Sequence, residues 1–198
     1  MEWLKEWAQV LSAGITLLAV FVALGIGVAS ILHTQSMQKR ERKERLLNEI
    51  IEWALEVSSC SSISFLTKYS EIKNMWEYNI MAASDLVDKY DNLEKQSEYI
   101  SRIALKLEDS LGNAVGEVVS NIKERQILLT KSMGVKPTFD VNEMQRVLDI
   151  LSGKAQTSDG LSEHAKIEIA LANNAKALNK SVNNVIEEAV KIKTRDIG

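Results

Sequence analysis

The sequence ITLLAVFVALGIGVASIL occupies Ile15–Leu32, and the longer stretch Ala8–Leu32 contains no charged residue. At about 1.5 Å per residue, a helix of that length spans more than the roughly 30 Å of a bilayer's hydrocarbon core. The stretch therefore predicts one transmembrane helix. We assign residues 1–33 to a short tail and this helix, whose apolar core is 8–32.

The residues on either side of the apolar run predict its orientation. Trp3 and Trp7 precede it, where amphipathic rings favour the boundary between lipid and water. Five basic residues follow it: Lys39, Arg40, Arg42, Lys43 and Arg45. Because basic residues accumulate on the cytoplasmic side, we expect a single-pass protein of the cell membrane with its N-terminus outside and its C-terminal domain in the cytoplasm.

A cleaved signal peptide is the alternative reading of the same stretch, because Val28–Ser30 offers small residues to a peptidase. Signal peptides have a basic start and an apolar run of about 7–15 residues. This chain starts with Glu2 and has a longer run, which favours the membrane helix.

Small residues recur within the apolar run. Ala19, Ala23 and Gly27 are spaced every fourth residue, and Gly25 and Ala29 form a second pair. Small side chains at this spacing let two helix backbones approach closely, so self-association in the membrane is one hypothesis. A helix that is merely rich in small residues is the other.

Residues 34–45 predict a charged helical stalk. Charges of opposite sign occur four residues apart in 38–45, with no Gly or Pro to break a helix. We expect the membrane helix to continue through this juxtamembrane segment. The same basic residues are also candidates for binding acidic lipid headgroups.

Residues 46–152 predict a soluble helical bundle, so the fold class is all-α. Apolar residues recur at intervals of three and four from Leu46, across Ile63–Ile80, across Asp85–Leu107 and again after Gly112. The stretch at about 109–113 has turn-forming residues and predicts a helical hairpin, although one long helix through Gly112 is also compatible with the pattern.

A loop and a capped helix are predicted at the end of this bundle. Pro137, the chain's only proline, lies in the loop Gly134–Thr138. Asp140 and Glu143 have the spacing of a capping box. The spacing predicts a helix over 141–152, closed by Gly153.

The polar linker 153–160 is the predicted boundary within the soluble part, and residues 161–198 are predicted to form a C-terminal helical hairpin. Ser162 is the expected N-cap of its first helix and Ser181 that of its second. Asn179–Lys180 would form the turn between them.

This hairpin resembles the helix pair of ribbon-helix-helix DNA-binding domains over residues 161–193. The resemblance lies in Asn179–Asn183, which would open the second helix, and in the apolar residues that follow: Val185, Ile186, Ala189 and Val190. It implies a dimer that reads DNA with a strand before the first helix. The residues in that place are polar and carry no alternating β-branched side chains, so a plain helical hairpin is the alternative.

The sequence carries no recognisable catalytic, metal or nucleotide motif, so we expect neither an enzyme nor a cofactor. Its two histidines are His33 and His164. His164 and Glu168 are four residues apart and could offer two metal ligands, but nothing else in the sequence completes such a site, so we expect them to be an exposed pair. Its single cysteine, Cys60, cannot form an internal disulfide. The net charge of -3 gives no overall attraction to nucleic acid or anionic lipid.

These patterns favour a membrane-anchored helical module for protein interaction or scaffolding, which associates with itself or with another protein. One alternative is a membrane-tethered DNA-binding regulator that uses the C-terminal segment. A small channel, holin-like or other membrane-acting protein is a further alternative.

Overall fold

The computed structural model describes residues 2–61, 67–70, 75–135, 138–139, 141–154 and 158–195. Their elements, in chain order, are α1 (Glu2–Ser61), β1 (Thr67–Ser70), β2 (Met75–Tyr78), α2 (Ile80–Leu107), α3 (Asp109–Met133), β3 (Thr138–Phe139), α4 (Val141–Leu151) and α5 (Glu163–Arg195). The chain divides into two compact units, Met1–Arg45 and Leu46–Gly198.

The first unit consists of the N-terminal part of α1. From Val20 onward, where side chains are described, this helix is long and apolar enough to cross a membrane. It continues without a break through residues 34–45, as the alternating charges predict. The hydroxyls of Thr34 and Ser36 donate hydrogen bonds to the backbone carbonyls of Ser30 and His33 at 2.9 and 2.7 Å, so both polar side chains are satisfied within the helix itself.

The second unit is built around a four-helix core. The C-terminal part of α1 packs with α2, α3 and α5, and the apolar stripe that begins at Leu46 lies on its buried side. The largest fully buried apolar side chains of this core are Leu47, Ile50, Leu86, Tyr90, Leu93, Leu111, Ile122, Leu129, Leu171 and Leu178. The predicted helical class is thus confirmed, since five helices account for most of the described residues.

The helix predicted over 63–80 is wrong where the structure describes this range, because Thr67–Ser70 and Met75–Tyr78 are strands of a small antiparallel sheet. β2 pairs with β1 on one side and with β3 on the other, and Trp76 is in register with Tyr69 and Phe139. Aromatic and β-branched residues favour strands, and here they occur in all three segments. The spacing of three and four misled because short strands and short helices can share an apolar pattern.

The hairpin between α2 and α3 turns at a single residue, just before the predicted 109–113. Glu108 has an extended backbone, with φ -167° and ψ 142°, and its N–H donates to the Ala104 carbonyl at 2.9 Å. Asp109 already belongs to the first turn of α3, where its negative charge interacts favourably with the helix dipole. Gly112 lies inside α3, and a Cβ there would overlap the Leu105 side chain of α2. Its place in the sequence therefore reflects close helix packing rather than a turn.

The predicted helix over 141–152 is confirmed as α4. Its end forms a Schellman motif, in which the Gly153 N–H donates to Ile150 at 3.0 Å and the Lys154 N–H to Asp149 at 2.8 Å. Gly153 has a φ of +77°, a conformation that glycine adopts without strain. Gly153 therefore closes α4 as the sequence predicts.

The start of α5 is held by two side chains. Ser162 is its N-cap, as predicted, because its Oγ accepts the Ala165 N–H at 3.2 Å. Glu143 of α4 accepts the Ser162 N–H at 2.6 Å, so this carboxylate supports the start of α5. The capping box with Asp140 and the loop at Pro137 lie outside the described residues.

The C-terminal hairpin is wrong, because α5 runs unbroken from Glu163 to Arg195. The Asn179 side-chain oxygen accepts the Ser61 hydroxyl of α1 at 2.5 Å, so this residue joins two helices instead of forming a turn. Ser181 does not cap a second helix, because its Oγ donates to the Leu178 carbonyl at 2.9 Å. The side chains behind the ribbon-helix-helix resemblance are part of one helix.

The linker 153–160 does not separate two domains, because α5 contributes to the same core as α1, α2 and α3. After the linker, Leu161 is buried in a smaller cluster with Met144, Val147 and Ala165, which joins α4 to the start of α5.

Candidate functional site

The first candidate surface is the exposed apolar part of α1. Eight large apolar side chains between residues 20 and 32 are 53 to 66% exposed: Val20, Phe21, Val22, Leu24, Ile26, Val28, Ile31 and Leu32. Moving a large apolar side chain from water to an apolar environment is worth about 1.5–3 kcal/mol. Transfer of all eight side chains is therefore favourable by more than about 10 kcal/mol. Nothing within the described chain supplies that surrounding.

The predicted self-association residues fall on two faces of this helix. Ala23 and Gly27 lie one turn apart on one face, whereas Gly25 and Ala29 lie on the nearly opposite face, since each residue turns the helix by about 100°. All four are exposed, and a Cβ at either glycine would meet no atom within 4 Å. The side chains of Ala19, Trp3 and Trp7 lie outside the described part, although their backbone belongs to α1.

The five basic residues that follow the apolar stretch are accessible on α1. Lys39, Arg40, Arg42 and Arg45 are exposed, and Lys43 is half-buried. They are therefore placed where a positively charged helix surface can meet lipid headgroups or an acidic protein.

The second candidate surface is a groove between α1 and α2, with a volume of about 420 Å³. Its lining consists of Glu49, Glu52, Trp53, Glu56, Gln96, Tyr99 and Ile100. Trp53 and Ile100 are buried and form its base. The Trp53 indole N–H donates to the Leu93 carbonyl of α2 at 3.3 Å, which fixes the two helices at this point.

The groove combines negative charge with an aromatic ring. Tyr99 is 57% exposed, and its hydroxyl donates to Glu49 Oε2 at 3.2 Å. This hydrogen bond to a carboxylate raises the pKa of the Tyr99 phenol. Within the described residues, the carboxylates of Glu52 and Glu56 form neither an ion pair nor a hydrogen bond.

A buried polar cluster inside the bundle overturns the expectation that His164 and Glu168 are exposed. His164 is 2% exposed and Glu168 is fully buried, with 3.8 Å between His164 Nε2 and Glu168 Oε1. Burial lowers the pKa of His164, while the nearby Glu143 carboxylate raises it, and burial prevails. Burial therefore favours the neutral form of this histidine.

Arg125 of α3 is the largest fully buried side chain of the bundle. Its Nη1 donates to the Leu171 carbonyl of α5 at 3.1 Å, and its guanidinium carbon lies 5.6 Å from the centroid of the Tyr90 ring of α2. Burial raises the pKa of Tyr90 to about 12, and Arg125 partly opposes that shift. The arginine thereby connects three helices in the core, and we assign it a structural role.

The sequence contains signals for the two buried charged residues, Arg125 and Glu168, whose burial the sequence analysis did not predict. Arg125 interrupts the apolar stripe of Val118, Ile122 and Leu129 at helical spacing, and Glu168 interrupts that of Ala165 and Leu171. A charged residue on a core-facing stripe indicates a buried polar contact. The groove depends on which two helices become neighbours, and no local pattern contains that information.

No protein-family model, curated protein or solved structure matches this chain. The described residues contain no group of three or more His, Cys, Asp or Glu residues that is arranged to hold a metal ion.

Proposed function

We propose that this protein is a membrane-anchored helical module that binds other proteins, including copies of itself, with its bundle in the cytoplasm. The observation that carries this proposal is the row of eight exposed apolar side chains from Val20 to Leu32. A bilayer provides the apolar surrounding that these side chains favour. The basic residues 39–45 support the cytoplasmic placement of the bundle.

Membrane anchoring is tested by alkaline extraction of membranes from cells that express the full chain. We expect the wild type to stay in the pellet and the double variant Val22→Arg, Ile26→Arg to be released, because charges at the centre of a membrane helix oppose insertion. The matched control Asn48→Arg, Asp88→Arg adds two arginines at exposed positions of the bundle and should stay in the pellet. Release of the wild type by alkali refutes the anchor.

Self-association is tested by cross-linking of the full chain in native membranes. The two faces of α1 provide a matched comparison. If the face of Ala23 and Gly27 mediates contact, the double variant Ala23→Ile, Gly27→Ile lowers the yield of cross-linked dimer several-fold, because bulky side chains separate the two helix backbones. The same change at Gly25 and Ala29 should leave the yield unchanged. Equal yields from all three proteins reject this face as the contact.

A further inference from the structure

The groove between α1 and α2 has a charge pattern that is unfavourable in the protein by itself. Glu49 and Glu52 are three residues apart and Glu52 and Glu56 four, so each pair places like charges on adjacent turns of one helix face. Among the described residues, no lysine, arginine or histidine lines the groove. A positively charged ligand would remove this repulsion.

The groove also presents apolar surface next to these charges. Tyr99 offers an exposed aromatic ring, and the buried Trp53 and Ile100 lie beneath it. Lysine and arginine side chains match this combination, because their aliphatic stems pack on apolar surface and their cations favour aromatic faces and carboxylates.

The spacing of the carboxylates indicates the shape of the ligand. Along the axis of α1, Glu52 lies about 4.5 Å beyond Glu49, and Glu56 about 6 Å beyond Glu52. A second helix laid alongside would present basic residues at the same rises if they were three and four residues apart. Nucleic acid and anionic lipid do not fit, because their phosphates carry the same sign of charge as the groove.

We propose that this groove binds a basic helical segment of a partner protein, whose lysine or arginine side chains pair with Glu49, Glu52 and Glu56 while their stems pack against Tyr99. The inference rests on the proposed function as a protein-binding module, and it names the chemistry of the partner.

The test is fluorescence anisotropy with the full chain in nanodiscs of neutral phosphatidylcholine. The probe is a labelled 18-residue alanine and leucine peptide with lysines at positions i, i+3 and i+7 of its sequence. We expect this peptide to bind, and a peptide with glutamate at the lysine positions not to bind. Binding should weaken as salt is raised, because exposed charge pairs are screened.

The deciding variant is Glu49→Gln, Glu52→Gln, Glu56→Gln, which we expect to bind the lysine peptide about tenfold more weakly, since three charge pairs at the surface, each worth about twofold in affinity, multiply to about that factor. The matched control Asp88→Asn, Glu117→Gln, Glu187→Gln makes the same change in net charge at exposed sites outside the groove and should retain wild-type affinity.

Replacing Tyr99 distinguishes binding in the groove from general electrostatic attraction to the protein. Tyr99→Ser leaves the charge of the groove unchanged, and we expect it to weaken binding about threefold because the lysine stems lose their apolar contact. Circular dichroism of each variant verifies that the helices are retained.

Three outcomes overturn the inference: no binding of the lysine peptide, equal weakening in the groove variant and the control, or tighter binding of a peptide of residues 37–46, which would assign the groove to a second copy of this chain. Alkaline extraction and cross-linking do not depend on the three glutamates. Their results therefore show separately whether the proposed function fails.

Discussion

Arg125 offers the sharpest test of how the bundle is held together, and the substitution to examine is Arg125→Ala. Its side chain is only 1% exposed and donates to the Leu171 carbonyl at 3.1 Å. A hydrogen bond from a charged group contributes about 1.5–3 kcal/mol, and the contact with the Tyr90 ring about 1 kcal/mol more. The truncation also leaves a cavity where this fully buried side chain lay.

Together these losses are expected to lower the free energy of unfolding by about 4 kcal/mol, which is typical of removing one partner from a buried charged contact. The assay is thermal unfolding of the full chain in detergent micelles, followed by circular dichroism. We expect the Tm to fall by about 10 °C. The control is Arg102→Ala, because this arginine is exposed and pairs with Glu98 at the surface. If the two variants shift Tm equally, Arg125 does not connect the helices as argued.

Three further predictions concern buried titratable groups and helix packing. Because burial lowers the pKa of His164, the unfolded chain binds a proton in a pH range where the folded chain does not, and the free energy of unfolding should fall as pH drops below about 6.5. In urea titrations, His164→Gln should remove this part of the pH dependence. The pKa of Tyr90 is raised to about 12, so the folded phenol stays neutral while the unfolded one ionises; stability should fall by up to about 3 kcal/mol between pH 10 and 12, and an unchanged alkaline slope in Tyr90→Phe would contradict this. Gly112→Ala should lower stability by about 1–3 kcal/mol through overlap with Leu105, whereas Gly116→Ala, with open space at its Cβ, should raise it by about 1 kcal/mol; a gain for both would show that the helices are not closely packed.

The helices that were predicted correctly are those whose evidence is local. The apolar stripe from Leu47 to Val57 needs only a 3.6-residue period to be read as a buried helix face, and Gly153 and Ser162 act through hydrogen bonds within one turn of themselves. Such signals depend on neighbouring residues of the chain. They were therefore present in the sequence.

The errors arose where distant residues decide the outcome. Asn179 has turn chemistry, but its side-chain oxygen accepts a hydrogen bond from the Ser61 hydroxyl of α1, and the helix continues. His164 and Glu168 belong to polar residue types that are usually exposed, and their burial depends on how the rest of the bundle packs against α5. The acidic groove likewise exists only because Tyr99 of α2 comes to lie beside Glu49 of α1.

Cys60 gives the bundle a built-in reporter of its own opening. It is the chain's only cysteine, and it lies buried near the C-terminal end of α1, packed in the core with α2 and α5. A thiol reagent can therefore react with Cys60 only after that end of α1 separates from its neighbours. The rate of labelling, measured as a function of urea, would give the free energy of that local separation in the unmodified protein, without any engineered probe.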